Sequence, residues 1–129
     1  MSPAPTRSEP TSLSSQECRR LLRSHTLGRV ALVRDALPWI IPVEYVFDEE
    51  GILFRTECDD RLRGAASGDV LAFEIDVYDP ECGDVTSVQV LGRTSLFTRS
   101  ADQPPAAVHE FVRLHCEIVN GRRVRSTIL

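Results

Sequence analysis

The stretch WIIPVEYVFDEEGILFRTE, residues 39–57, decides the fold class of this protein. Its two halves, residues 39–48 and 52–57, are rich in β-branched and aromatic residues, which favour extended strands. The short acidic segment DEEG, residues 48–51, joins the halves as a turn. The stretch therefore predicts two antiparallel strands. Pro42 should lie at a sheet edge or a bulge, because proline has no amide hydrogen to donate to a neighbouring strand.

Further strand patterns flank this pair on both sides. Residues 29–34 precede it, and residues 70–79 and 85–98 follow it, the last with a predicted bend at Gly92. Residues 116–126 contain an Asn-Gly turn signal and a final extended segment. Few segments between these strands are long enough to be crossover helices. We therefore expect a mostly β protein, a small antiparallel barrel of six or seven strands with two or three short helices.

Three segments have helix signals. The pattern S-x-x-E at residues 14–17 is a capping box and predicts a helix over residues 15–25. Asp59 can cap a short helix that ends near Gly68. The segment AAVHEFVRLH, residues 106–115, follows two prolines and predicts another helix.

The chain has 129 residues, 42% of them hydrophobic and 26% charged, which fits one compact domain. Residues 1–12 contain three prolines and few apolar residues, so we expect a disordered tail followed by a single domain over residues 13–129. No apolar run reaches the ~18 residues of a membrane helix, and the N-terminus has no apolar leader. We therefore expect a cytoplasmic protein with no membrane partner.

The basic residues exclude several chemistries. All 15 are arginine, and without lysine the chain can form neither a Schiff base nor a P-loop. Any phosphate site must therefore use arginine, backbone amides or hydroxyl groups. The formal net charge of −4 argues against nucleic acid as a partner. The four cysteines form no C-x-x-C pair, so we expect no metal site.

Five segments in order resemble the pyridoxamine 5′-phosphate oxidase-related proteins, in particular their short bacterial members. They are LSSQECRRLLRSHTLGRVAL, PWIIPVEYVFDEEGILFRT, VLAFEIDVYDP, SVQVLGR and IVNGRRV. The resemblance covers residues 13–129 and implies a six-stranded antiparallel split β-barrel. It also implies a homodimer with FMN in a groove between the subunits. A deazaflavin coenzyme is the alternative cofactor, because related split barrels use one.

The resemblance also implies which residues bind the cofactor. The phosphate would be held by Arg55, Thr56 and Arg61. The isoalloxazine ring would lie beside Pro42, Val43 and Glu44, and its polar edge would be approached by Ser87. Guanidinium groups, a hydroxyl and helix N-terminal amides after a strand suit a phosphate on physical grounds as well. No catalytic side chain is predicted, since a flavin ring performs the redox chemistry itself.

One departure from the relatives leaves the function open. They usually have Gly-Thr-Lys in the turn where this chain has Asp59, Asp60 and Arg61. Added carboxylates oppose a phosphate of about −2 charge, at a cost of roughly 1–4 kcal/mol at a protein surface. Arg55 and Arg61 could instead be surface arginines neutralised by these acids and Glu57. The sequence thus favours an FMN-dependent oxidoreductase only slightly. The alternative is a non-catalytic dimer that binds a flavin or another small molecule, or that has lost the cofactor.

Overall fold

The computed structural model describes residues 10–57, 59–64, 69–100 and 108–125. These residues form eight strands and two short helices. In chain order they are β1 (Thr11–Ser12), α1 (Ser15–Ser24), β2 (Leu27–Arg34), β3 (Leu37–Asp48), β4 (Gly51–Arg55), α2 (Asp60–Gly64), β5 (Val70–Tyr78), β6 (Asp84–Ser100), β7 (Val108–Leu114) and β8 (Ile118–Arg125).

Six of the strands close into a ring. Its order is β2, β3, β4, β7, β6, β5 and back to β2, and every neighbouring pair is antiparallel. Strand β8 pairs with β6 outside the ring, and β1 pairs with β8. The prediction of a mostly β, six-stranded antiparallel split barrel is therefore confirmed.

Strand β6 belongs to both halves of the barrel. Residues 84–91 pair with β8, whereas residues 94–100 pair with β7. Gly92 lies where the partner changes, at the position of the predicted bend. A Cβ atom there would overlap the backbone oxygen of His115. Glycine lets the two backbones approach this closely, so the split of the barrel depends on it.

Helix α1 packs against the barrel through its buried side. Ser14 caps the helix by accepting a hydrogen bond from the Glu17 amide at 3.1 Å, which confirms the predicted helix start. Leu22 is fully buried, and its carbonyl accepts a hydrogen bond of 2.7 Å from the Tyr45 hydroxyl of β3. The Tyr45 ring in turn meets Phe73 edge to face, with 4.8 Å between centroids.

The position of Pro42 agrees with the predicted sheet edge. The amide of Tyr45 donates to Thr26 at 2.8 Å, toward β2. Because backbone groups alternate in direction along a strand, Pro42 and Glu44 direct theirs toward the opposite edge of β3. The ladder to β4 begins only at Tyr45. Pro42 therefore costs no hydrogen bond to β2.

Two sequence predictions are wrong. Residues 108–114 of the predicted helix form β7, which pairs with both β4 and β6 and buries Val112 and Leu114 in alternation. The Asn-Gly pair is not a turn, because Gly121 lies within β8 opposite Val88. A Cβ atom on Gly121 would overlap Sγ of Cys18, so this glycine allows α1 to approach β8. Residues 101–107 lie outside the described residues.

The N-terminal prediction needs one correction. Thr11 and Ser12 pair with Arg123 and Arg122, so the expectation of disorder is wrong for these two residues. Residues 1–9 and the predicted helix end at Gly68 lie outside the described part of the chain. No helix within that part is long and apolar enough to span a membrane.

Candidate functional site

A groove of about 600 Å³ lies on the outside of the barrel, where β2, β3 and β4 meet. Six residues line it: Leu27, Pro42, Val43, Glu44, Arg55 and Glu57. Four of the seven predicted cofactor-binding residues therefore come together here. The other three, Thr56, Arg61 and Ser87, are not among the lining residues.

Two smaller depressions extend the groove across the outer face of the sheet. The first, of about 230 Å³, shares Leu27 and Pro42 with it. The second, of about 220 Å³, shares Arg29 and Glu74 with the first. Sequence analysis missed Leu27, Arg29 and Glu74 as candidates. The alternation of β2 would have placed Leu27 and Arg29 on its exposed face, but alternation alone does not show that a groove runs there.

Arg55 is the basic residue of the groove, and its side chain is 49% exposed. Its guanidinium pairs with Glu57, two residues further along the chain. Nδ1 of His109 contacts the Arg55 guanidinium and lies 3.0 Å from the Glu57 carboxylate. The hydrogen bonds from Arg55 and His109 lower the pKa of Glu57. Glu57 therefore stays ionised, and it would compete with a ligand phosphate for the Arg55 guanidinium.

Arg61 binds both oxygens of a single carboxylate. Its Nε and terminal nitrogen donate to the two carboxylate oxygens of Asp59, at 2.9 and 2.6 Å. These side-chain hydrogen bonds, with one from the Arg61 amide, lower the pKa of Asp59 to about 2. The guanidinium also lies over the Trp39 ring, 4.7 Å from its centroid. Asp59 thus caps α2 as predicted, and it also engages the arginine that was expected to bind phosphate.

Thr56 and Ser87 lie in different surroundings. Thr56 is 2% exposed, and its hydroxyl donates to Glu110 at 2.8 Å, inside the wall of the barrel. Ser87 lies on β6, between Asp76 of β5 and Arg122 of β8. The three predicted phosphate residues are therefore not assembled around the groove, where Arg55 stands without Thr56 and Arg61.

The comparison with known families identifies this architecture. The family model described as pyridoxamine 5′-phosphate oxidase matches residues 14–124. The chain belongs to the pyridoxamine 5′-phosphate oxidase family.

Related sequences and structures align with most of the chain. An uncharacterised protein of Mycobacterium tuberculosis is 34% identical over 125 residues, covering 88% of this chain and 79% of the relative. The FAD-binding protein of Mycobacterium smegmatis is 33% identical, with a TM-score of 0.68 over 91% of this chain and 100% of its own. An FAD-binding protein of Mesorhizobium loti shares the fold at 19% identity, with a TM-score of 0.72 over 92% of this chain and 98% of its own.

The groove of this family member fits the two parts of a flavin nucleotide unequally. Leu27 and Pro42 offer an apolar surface to a ring, and the Glu44 backbone faces the free edge of β3. A phosphate would meet Arg55, but Glu44 and Glu57 line the same groove. The lining residues thus suit the ring. For the phosphate they supply the Arg55 guanidinium, which also attracts the nearby carboxylates.

Proposed function

We propose that this protein binds a flavin nucleotide in the groove, as a homodimer, and acts as a flavin-dependent oxidoreductase. The supporting observation is that the groove brings Arg55 together with the polar backbone edge of residues 42–44. The 33% identical FAD-binding protein of Mycobacterium smegmatis supports a flavin as the ligand class. FMN is the cofactor predicted from the sequence, and FAD is the competing nucleotide.

Each lining residue would have a defined role toward the ring. Leu27 and Pro42 would pack against its flat face and exclude water. The Glu44 amide and the Pro42 and Glu44 carbonyls would meet its polar edge, with Val43 holding this segment onto β2. Ser87 would approach the polar edge from the same outer face. When bound, the flavin ring supplies the electron or hydride transfer, and the protein orients it.

Arg55 would bind the phosphate by exchanging its carboxylate partner. A guanidinium can bind phosphate oxygens through paired hydrogen bonds, and here one terminal nitrogen of Arg55 contacts one carboxylate oxygen of Glu57. The exchange has to displace an ionised Glu57, which remains nearby and repels the phosphate. We therefore expect weaker binding than a site without these carboxylates would give. Thr56 and Arg61 would not contact the phosphate, because their side chains are engaged by Glu110 and Asp59.

The outer face of the sheet supports the homodimer. Val33, Ile40 and Val70 are 71%, 69% and 64% exposed on β2, β3 and β5. Contiguous exposed apolar side chains of this size are typical of interaction surfaces. Two copies packed through this face would bury these side chains and enclose the depressions that extend the groove. Replacing Ile40→Asp should convert the dimer to a monomer in size-exclusion chromatography with light scattering.

A titration with riboflavin, FMN, FAD and a deazaflavin tests the ligand. Arg55→Gln should weaken FMN and FAD binding about tenfold, the size of one charge-assisted contact, and leave riboflavin binding unchanged. Arg61→Gln is the matched control and should leave all affinities unchanged. Equal losses for both variants would contradict the assignment of Arg55 as the phosphate residue.

Enzyme activity requires a separate measurement. A bound flavin should be bleached by NADPH or NADH in the absence of oxygen, and should recover its colour with an added acceptor. The second candidate function is a non-catalytic small-molecule-binding dimer with a weakened or lost cofactor site. It is favoured by one observation, that Arg55 and Arg61 are both engaged by carboxylates. Absence of saturable flavin binding at high micromolar concentration would support it over the oxidoreductase.

A further inference from the structure

We propose that Phe97 and Phe111 form a binding surface for the adenine of FAD, which would make this protein select FAD over FMN. The inference rests on the proposed function, because it extends the same groove by one subsite. It concerns two side chains that sequence analysis did not select as ligand residues.

The strand register places both rings next to the groove. Arg55 of β4 lies opposite Phe111 of β7, and Phe111 lies opposite Phe97 of β6. Neighbouring strands are about 4.8 Å apart, so the two rings begin one and two strands beyond the arginine that lines the groove. A dinucleotide with a phosphate at Arg55 would continue over this pair if it extends away from β3.

The two rings stack on each other. They are nearly parallel, with an interplanar angle of 17° and 5.5 Å between centroids, and both are half-buried. The Arg113 guanidinium lies 5.6 Å from the Phe97 centroid and is held by Asp48 and by Glu50, the latter at 3.4 Å. A purine is recognised by stacking on aromatic rings and guanidinium planes, and here it would extend the stack from an outer face of one of the two rings.

This cluster would act on one part of the ligand only. FAD contains the adenine and FMN does not, whereas both contain the ring and a phosphate. Contacts at Phe97 and Phe111 would therefore raise the affinity for FAD and leave that for FMN unchanged. One stacked base corresponds to roughly tenfold in affinity. If the phenylalanine pair only stabilises the sheet, its replacement would lower the melting temperature and would not change the relative affinities for FAD and FMN.

Calorimetric titration of FMN and FAD into the wild type and the variants Phe97→Leu and Phe111→Leu tests the inference. Leucine keeps an apolar side chain in the sheet, and Phe47→Leu is the matched control, since that half-buried ring lies under Arg23 of α1. We expect the wild type to bind FAD about tenfold more tightly than FMN. The two test variants should lose that preference, with unchanged FMN affinity, and Phe47→Leu should keep it.

Two results would overturn the inference in distinguishable ways. Equal wild-type affinities for FMN and FAD, or an FAD preference that survives both leucine variants, would remove the adenine site and leave the proposed flavin site intact. Binding of neither flavin to the wild type would contradict the proposed function and the adenine site together.

Discussion

The interior of the barrel and its rim are stabilised by different interactions. Inside, Val88, Val90 and Val112 have no exposed surface, and their positions follow from apolar alternation along paired strands. At the rim, Arg55 and Arg61 are partly exposed, and each pairs with a carboxylate two residues away. A buried apolar side chain has one favourable position, in the core. An exposed ionic side chain has several alternative positions of similar free energy. Changes inside should therefore cost stability, and changes at the rim should alter binding.

The largest loss of stability is expected from an interior change, Gly92→Ala. The new Cβ would overlap the His115 backbone, which cannot move without breaking a pairing of the barrel. We expect a loss of at least about 3 kcal/mol in the free energy of unfolding, at the upper end of overpacking costs. Gly64→Ala in α2 is the matched control, since no described atom lies within 4 Å of its Cβ position. Urea unfolding measures both, and equal stabilities would refute the steric account of the split.

A second interior test is Tyr45→Phe. It removes the hydrogen bond to the Leu22 carbonyl and leaves a buried acceptor, at a cost of about 1–2 kcal/mol. Burial also raises the pKa of Tyr45 to about 12 from its usual value near 10. The folded state therefore resists ionisation of the hydroxyl, so its stabilising contribution is complete below pH 10 and declines as the pH rises toward 12. Unfolding curves at pH 8 to 12 should show a smaller decline in the phenylalanine variant than in the wild type, because the buried and half-buried thiols of Cys18 and Cys116, whose pKa values are also raised, remain in both. Equal declines would contradict the assignment to Tyr45.

A smaller and opposite effect is expected at the rim turn between β2 and β3. Asp35 and Ala36 both have positive φ angles, 54° and 61°, as in a two-residue type I′ turn. Alanine is strained in this region and glycine is not, so Ala36→Gly should raise the free energy of unfolding by about 1 kcal/mol. The same change at Ala31, inside β2, should lower it. Thermal unfolding of both variants separates turn strain from a general glycine effect.

The smallest stability effect is expected from Asp59→Asn at the rim. The Asp59 pKa of about 2 lies below its usual value because Arg61 donates hydrogen bonds to it. Its contribution is thus present above about pH 4 and is lost as the pH falls toward 2. At neutral pH we expect the melting temperature to fall by about 2 °C or less, because the pair is partly exposed. A fall as large as that of Tyr45→Phe would erase the difference between rim and interior.

The barrel was largely predictable from the sequence because alternation encodes burial. The pattern of residues 39–57 predicted two strands of the ring, and the Ser14 cap predicted α1. Strand β7 was missed, because VHEFVRL also has apolar spacing compatible with a helix, and its pairing to β4 and β6 is non-local. Tertiary pairing decided between the two.

The candidate site was predictable only in part. Residues 42–44 and Arg55 do line one groove, whereas Thr56 donates its hydroxyl to Glu110, 54 residues away along the chain. That contact joins the residue after β4 to β7, which the sequence predicted to be a helix. Arg61 was predicted to hold the cofactor phosphate, with pairing to the neighbouring acids as the alternative, and in the structure it pairs with Asp59. Sequence spacing alone does not decide between a carboxylate and a ligand phosphate.

The pairing of β7 with both β4 and β6 bears on how a nascent chain folds. Leu53 lies opposite Arg113, so the seam of the ring joins positions that emerge from the ribosome far apart in time. Earlier hairpins can form as they appear, but the cylinder stays open until β7 has been translated. The edge of β4 that pairs with β7 would stay unpaired during that interval. The chain would therefore be most prone to aggregation late in translation.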